Sequence, residues 1–502
     1  MDWNLPSSQE QPTVAIALTK LPAGVAPKDP LYGGPVLLNP GGPGGSGVDL
    51  VLSSGRKIQR QINPNHDGTH RPGSRFYDIL GFDPRGVNNT TPTTSCFSNT
   101  SSFRRWKTQL QAFGIPGSSN ISFMQTWAAN SALSETCSRH YKSSSLGQHI
   151  NTVPVARDML EIVTQHANWS LRQGHKTNEL ATDGKLRYIG YSYGTVLGAV
   201  FASLWPTHVG KMVLDGVVDT MDYYAGHWFE AVVDADHIPV HFAEACAKAG
   251  SACAFFEEPN YVNPTTIFER FRRILDGLLE KPLAVSGSTD HDPDVVTFSD
   301  LINYLRDWSY GFSGLSKLTA AFLRDIAAAN GSSFATYKQN ALDTSLLHQN
   351  FEEAKMAIEC SDMPVLNVTA EEYAEYYWSV YRKQSWFLGD RVLIVRMMCN
   401  NWHLRPKWQF NGSFSGIMEV KPVLLIGNSF DPVTPIGNAR KLATQFSEAE
   451  VLELMTAGHC SLGALSSCLD GALRDYFQKD ALPAKGAICL PDFNPFLGPD
   501  SG

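Results

Sequence analysis

No stretch of this 502-residue chain runs for about 18 apolar residues, so no membrane-crossing helix is expected. Lys and Arg are nowhere gathered into a tract and the formal net charge is −8, so no nucleic-acid partner is expected. The nine cysteines form no C-x-x-C pair, which removes the common zinc and redox signatures. His237 and His241 have the spacing of a metal-binding helix face, but Pro239 stands between them and argues against such a helix. No G-K-[ST] follows the glycine-rich stretch after Leu38, so a phosphate-binding loop is disfavoured. Met1-Asp2-Trp3-Asn4-Leu5 has neither a basic start nor an apolar run; no signal peptide is expected there, and Met1 reads as a start set on a mature or truncated chain. What remains is ordinary for a globular protein, 43% hydrophobic and 18% charged. The length exceeds what one α/β core needs, so a large insertion is expected rather than a second enzyme.

The informative stretch is Gly190-Tyr191-Ser192-Tyr193-Gly194, a G-x-S-x-G match. Leu186–Ile189 before it reads as a buried strand, and Thr195–Ala202 after it as a helix rich in small residues. Strand, sharp turn and helix form the context in which such a serine is held out at the top of a sheet as a nucleophile. Gly190 and Gly194 stand where a side chain would collide with the neighbouring strand and helix.

A serine hydroxyl needs a base, and the base needs an orienting group. Pro422–Gly427 reads as a strand whose exit loop carries Asp431, the natural acid. Val451–Met455 reads as another strand, whose exit carries His459, the natural base. Both follow the carboxyl ends of strands, where open α/β sheets place ligands. Upstream, Pro35–Leu38 is a strand followed by Asn39-Pro40-Gly41-Gly42-Pro43-Gly44-Gly45-Ser46-Gly47. That loop is suited to aim the Gly42 N–H at a developing oxyanion, with the Tyr193 N–H as second donor. Asp215, at the end of the strand Val209–Leu214, rivals Asp431 as the acid. Asp83 and Arg85 are expected to form an ion pair bracing the loop beside the glycines.

Along the rest of the chain, Thr13–Leu18 alternates like an early strand, and Asn88–Ser119 is polar and reads as a long loop. Helices are expected over Val48–Ile62, Phe123–Tyr141 and from Thr152. From about Val218 to Asn400 the strand–helix rhythm gives way to helices, with a heavy aromatic load that includes Trp228, Phe229, Tyr304, Trp308, Tyr310, Tyr376, Tyr377, Trp378 and Trp386. Cys246 and Cys253 are near enough to clip a local loop. Cys460 adjoins His459; its side chain is expected to point away from its neighbour's. N-x-[ST] sequons begin at Asn88, Asn89, Asn99, Asn120, Asn168, Asn330, Asn367 and Asn411, a generous supply for a cytosolic chain, and each is expected at the surface.

The Asn39–Gly47 loop, Gly81-Phe82-Asp83-Pro84-Arg85-Gly86-Val87, the Ser192 pentapeptide, Lys211-Met212-Val213-Leu214-Asp215-Gly216-Val217, Asp431-Pro432-Val433-Thr434-Pro435 and Gly458-His459 together resemble one group. It is the secreted tripeptidyl aminopeptidase-like branch of the α/β-hydrolases, related to prolyl iminopeptidases, and the likeness runs in order through nearly the whole chain. The resemblance implies an α/β-hydrolase fold, a mostly parallel sheet flanked by helices with a large, mainly helical cap. The core would span 1–217 and 401–502, and the cap 218–400. It favours Asp431 over Asp215. By order and resemblance it implies disulfides Cys96–Cys137, Cys360–Cys399 and Cys468–Cys489 beside Cys246–Cys253, leaving Cys460 over; connectivity does not follow from spacing. With the sequons, these cysteines point to a secreted or endomembrane origin.

The expected chemistry is acyl transfer through Ser192 with no metal or organic cofactor. The resemblance implies an exopeptidase releasing short peptides from free N-termini. That activity needs a carboxylate to hold the substrate's ammonium, and Glu359, Glu230 and Asp362 are the candidates, Glu359 first because of its apolar surroundings. The same triad also serves an esterase, thioesterase, lactonase or acyltransferase working on a small natural product. A binding module on a hydrolase fold is disfavoured because every triad member is present. Oligomeric state leaves no mark in the sequence.

Overall fold

A computed structural model describes residues 12–64, 73–93, 95–176, 179–289, 291–345, 350–412, 414 and 422–499, so the Met1–Leu5 reading lies outside the described residues. An eight-stranded sheet crosses the molecule in the order β1-β3-β2-β4-β5-β8-β9-β10. Its members are β1 (Leu18–Leu21), β2 (Tyr32–Asn39), β3 (Phe76–Phe82), β4 (Leu186–Tyr191), β5 (Val209–Asp215), β8 (Val423–Phe430), β9 (Ala449–Ala457) and β10 (Ile488–Cys489). β1 pairs antiparallel with β3, and every other pairing is parallel. β2, β3 and β4 are buried along their whole length, Asn39, Asp78 and Arg187 included.

Helices cover both faces. On one, α1 (Gly47–Ile62) and α17 (Ser467–Lys479) bury Leu50, Val51, Ile58, Leu469 and Tyr476 with Val36, Ile79 and Ile426. On the other, α4 (Thr152–Arg172) and α5 (Tyr193–Leu204) bury Met159, Val163, Val196 and Val200 with Leu37, Tyr188 and Leu214. α16 (Ile436–Ala443) follows β8. β3 pairs with β2 on the side away from β4, so the chain runs from β2 out to β3 and comes back as β4 on the other side of β2, a switch in strand order. Loops that leave neighbouring strands at such a point diverge and open a crevice.

Thr13–Leu18 is not a strand: Ala15 makes a single bridge to Thr91, and β1 starts at Leu18, where pairing with Phe82 begins. Asn88–Ser119 is not all loop. Asn99 accepts the Ser102 N–H and starts α2 (Thr100–Phe113), which packs with α3 (Ser122–Lys142). The polar surface of α2 hides a stripe of Phe103, Trp106 and Leu110 at helical spacing.

Between β5 and β8 lie α6 (Thr220–Ala225), α7 (His237–Ala249), α8 (Pro264–Glu280), α9 (Phe298–Tyr310), α10 (Phe312–Ala327), α11 (Ser332–Ser345), α12 (Phe351–Asp362), α13 (Ala370–Tyr373), a π turn at Ala374–Trp378, α14 (Ser379–Gln384) and α15 (Gly389–Met397). A small hairpin, β6 (Leu283–Val285) with β7 (Asp294–Val296), interrupts them. His237 and His241 do share a helix, because Pro239 falls in the first turn of α7, where its missing N–H costs nothing. His237 packs against Phe430, and His241 against Phe312 and Phe430. Disulfides join Cys96–Cys137, Cys246–Cys253, Cys360–Cys399 and Cys468–Cys489, and Cys460 is a free, buried thiol.

Candidate active site

Ser192 sits between β4 and α5 at φ 54° and ψ −125°, a left-handed backbone that a non-glycine residue holds only under constraint. The constraint is visible around it. The Ser192 N–H donates to the Asp215 carbonyl at 2.9 Å, and the Thr195 N–H returns to the Ser192 carbonyl at 2.8 Å. A Cβ on Gly190 would lie 2.5 Å from the Gly194 carbonyl oxygen, so the turn closes only with glycine there. Asn39, the last residue of β2, pairs in register with Gly190.

The loop after β2 closes against this turn. The Asn39 side chain accepts the Gly41 N–H at 2.9 Å. Gly41 lies so near the serine that an added Cβ would come within 2.8 Å of Ser192 Cβ and 2.9 Å of the Tyr193 nitrogen. Among the described residues, the Gly42 and Tyr193 N–H groups donate to no protein acceptor. Asp83 steadies the end of the loop by accepting from Ser46 Oγ at 2.6 Å and the Val48 N–H at 3.2 Å. The expected Asp83–Arg85 ion pair gives way to separate braces, with Arg85 making a two-pronged contact to Asp158 at 2.6 and 2.7 Å.

His459 and Asp431 meet where β9 and β8 end. His459 Nδ1 lies 3.0 and 3.1 Å from the two Asp431 oxygens, and 3.1 Å from Thr434 Oγ1. The ring packs on Tyr310, 4.6 Å between centroids, and its backbone N–H donates to the Tyr310 carbonyl at 3.0 Å. Asp431 is fully buried and accepts from the backbone N–H groups of Val433, Thr434 and Cys460 at 3.0, 2.8 and 2.9 Å. Burial alone would raise its carboxyl; the His459 ring and these donors outweigh it and hold it below the usual carboxylate range. Asp215 is engaged elsewhere, accepting from the Ser461 N–H at 2.9 Å and Ser461 Oγ at 2.5 Å, and burial pushes it up to about 6. Cys460 does not point away from its neighbour. At φ 58° its backbone turns both side chains inward, and Sγ stands 3.7 Å from His459 Nε2. Burial pushes that thiol well up, which keeps it un-ionised.

Ser192, Gly41, Gly42, Thr434 and His459 all line one cavity of about 560 Å³. Its walls come from α2 (Phe103, Trp106), from Trp228, from α9 (Tyr310), from α12 (Phe351, Met356) and from α15 (Val392, Val395). Of the aromatics singled out in the helical stretch, Trp228 and Tyr310 reach this cavity.

The three expected anchor carboxylates do not line it. Glu230 is exposed on the outside, its N–H bonded to Asp222. Glu359 is wholly buried in α12 with neither carboxyl oxygen hydrogen-bonded, and burial pushes it up to about 8, so it is mostly uncharged at neutral pH. Its apolar surroundings, read as a sign of function, are core packing. Asp362 is also buried and accepts from the Thr152 N–H at 3.1 Å, Thr152 Oγ1 at 2.5 Å and the Tyr223 hydroxyl at 2.9 Å. Thr152 Oγ1 also meets the Tyr193 hydroxyl, so Asp362 supports the residue after Ser192 from behind. Among the described residues, the carboxylates on the wall are Glu352 and Glu353, about two helical turns before Glu359. Sequence reading missed them because it did not place α12. It missed Thr434 although the residue stands three after Asp431.

A family model described as alpha/beta hydrolase fold matches residues 34–260, and one described as TAP-like protein matches residues 385–489. The chain is 25% identical to serine protease Hip1 of Mycobacterium tuberculosis, over 97% of this chain and 85% of that protein. It is 24% identical to a tripeptidyl aminopeptidase of Streptomyces lividans, over 92% and 78%. It is 25% identical to carboxylesterase B of Mycobacterium tuberculosis, over 91% and 80%.

Proposed function

This chain belongs to the α/β-hydrolases, in their TAP-like branch; from that premise we propose that it is a serine hydrolase and releases short peptides from free N-termini through an acyl-enzyme on Ser192. The observation that carries the proposal is the convergence of a strained serine elbow and an Asp431-paired histidine on one walled cavity. His459 takes the Ser192 proton through Nε2 while Asp431 holds Nδ1–H and stabilises the imidazolium. The Gly42 and Tyr193 N–H groups receive the oxyanion. His459 then protonates the departing amine, and water releases the acyl group. The helical stretch 218–400 acts as the cap, since α9, α12 and α15 supply much of the cavity wall.

The peptide reading is favoured over an ester by acid on the cavity wall, and Glu352 takes the ammonium-anchoring role first given to Glu359, Glu230 and Asp362. It lines the cavity and is more than half exposed. The tripeptidyl aminopeptidase among the relatives is consistent with this. An oxidising compartment fits the four disulfides, and the sequon residues Asn89, Asn99, Asn120, Asn168, Asn330, Asn367 and Asn411 are exposed, with Asn88 half-buried. The test is cleavage of matched tripeptide anilides, one with a free amino terminus and one N-acetylated, by wild type and Ser192→Ala. Cleavage of the free-amino form alone, lost in Ser192→Ala, supports the proposal. Cleavage of simple esters with neither anilide touched turns it to an esterase.

A further inference from the structure

The molecule is acidic overall, with a formal charge of −8, yet its active-site cavity is lined by Lys107, Arg306, Lys355 and Arg391 against Glu352 and Glu353. Some of this charge is matched within the protein. Arg306 pairs with Asp307 at 2.6 Å and lies over the Tyr310 ring, 4.3 Å from its centroid. Lys107 approaches Glu352 only at 4.0 Å. Glu353 is turned to the chain, accepting the Cys96 N–H at 2.9 Å. Two cations are left over. Among the described residues, Lys355 has no hydrogen-bond or ion-pair partner, and Arg391 bonds the neutral Asn303 side chain at 3.1 Å. The acid one turn along from Lys355 is Glu359, which burial pushes up to about 8 and which makes no ion pair with Lys355.

These cations stand together. Lys107, Lys355, Arg391 and Arg306 all act on Glu352 and hold its carboxyl below the usual range. Burial and the neighbouring Arg306 both work against the charge on Arg391. A group of like charges within aromatic walls is relieved by a second anion, and there the attraction is stronger than at an open surface. We propose that the cavity selects substrates whose acyl portion carries a carboxylate, held by Lys355 and Arg391 with Lys107 and Arg306 beside them. In a peptide this is an Asp or Glu side chain within the released segment. The inference rests on Ser192 being the nucleophile and on the acyl portion occupying the cavity.

Activated esters test it without requiring a peptide substrate. Wild type, Ser192→Ala and the double variant Lys355→Gln/Arg391→Gln are given p-nitrophenyl monoesters of glutaric, adipic and suberic acid. The neutral partners are the p-nitrophenyl esters of the monocarboxylic acids of equal chain length. The expected result is a kcat/KM ratio of carboxylate to neutral ester of about tenfold or more for at least one length, falling towards one in the double variant. Raising salt from about 50 mM to about 1 M should shrink the wild-type ratio as well, a readout that does not depend on the variant folding. A wild-type ratio of one or below at every length, including no release from the carboxylate esters, overturns the proposal. So does a ratio that neither the variant nor salt alters. Neutral esters cut by wild type and not by Ser192→Ala leave the serine hydrolase reading standing in either case. Release above the enzyme-free rate that persists in Ser192→Ala sinks the nucleophile itself.

Discussion

Two buried aspartates lie near His459, and their surroundings separate them. Asp431 collects three backbone N–H donors and the imidazole, and stays ionised; Asp215 receives Ser461 and is pushed up to about 6. Asp431→Asn should lower kcat by about 10⁴-fold, because the amide cannot hold the correct tautomer of His459. Asp215→Asn should leave kcat within about tenfold. Steady-state kinetics of both variants on one substrate decides the assignment, and the reverse order of effects would transfer the role to Asp215. Gly41 makes a second test. A methyl there would stand 2.3 Å from the Tyr191 carbonyl oxygen and 2.9 Å from the Tyr193 nitrogen at a φ of 87°, so Gly41→Ala must shift the serine turn and should cost about 10²-fold or more in kcat, as expected when an oxyanion donor is displaced.

At the scale of elements, four strands and their exits do most of the positioning. β2, β4, β8 and β9 run parallel, so the glycine loop, Ser192, Asp431 and His459 emerge at one edge of the sheet. The opposite wall depends on α12, which carries Phe351, Glu352, Glu353, Lys355 and Met356 and is tied at Cys360 to Cys399, just beyond α15. Replacing both cysteines with serine should destabilise this region by about 2–4 kcal/mol. Because the loss is local, hydrolysis should fail at a lower denaturant concentration than the sheet signal of circular dichroism. Coincident transitions, shifted or not, would show that α12 and the sheet unfold as one unit.

For the molecule as a whole, Glu359 introduces a pH dependence of stability. Its carboxyl goes from an ordinary 4.5 in the unfolded chain to about 8 in the folded one. The folded state therefore holds the proton more tightly. The contribution is fully present below about 4.5, declines as pH rises and is lost by about pH 8, a range worth a few kcal/mol. Glu359→Gln removes the ionisation, so the variant should melt higher than wild type at pH 8 and much the same at pH 5. Equal pH profiles for the two proteins would show that Glu359 is solvated or paired in solution. The sequence by itself determined the sheet core and the reacting groups, because those signals are local. Branched residues in Leu186–Ile189 and Pro422–Gly427 mark buried strands, glycines mark the close approaches at Ser192, and Asp431 and His459 directly follow strand ends. The tertiary structure decided what surrounds them. The register of α2 and α12 turns Trp106, Glu352 and Lys355 into the cavity and puts Glu359 one turn further along, into the core. Helical spacing gives the angle between such residues but not which side faces the substrate. That depends on packing between segments far apart in the chain, which no local pattern records.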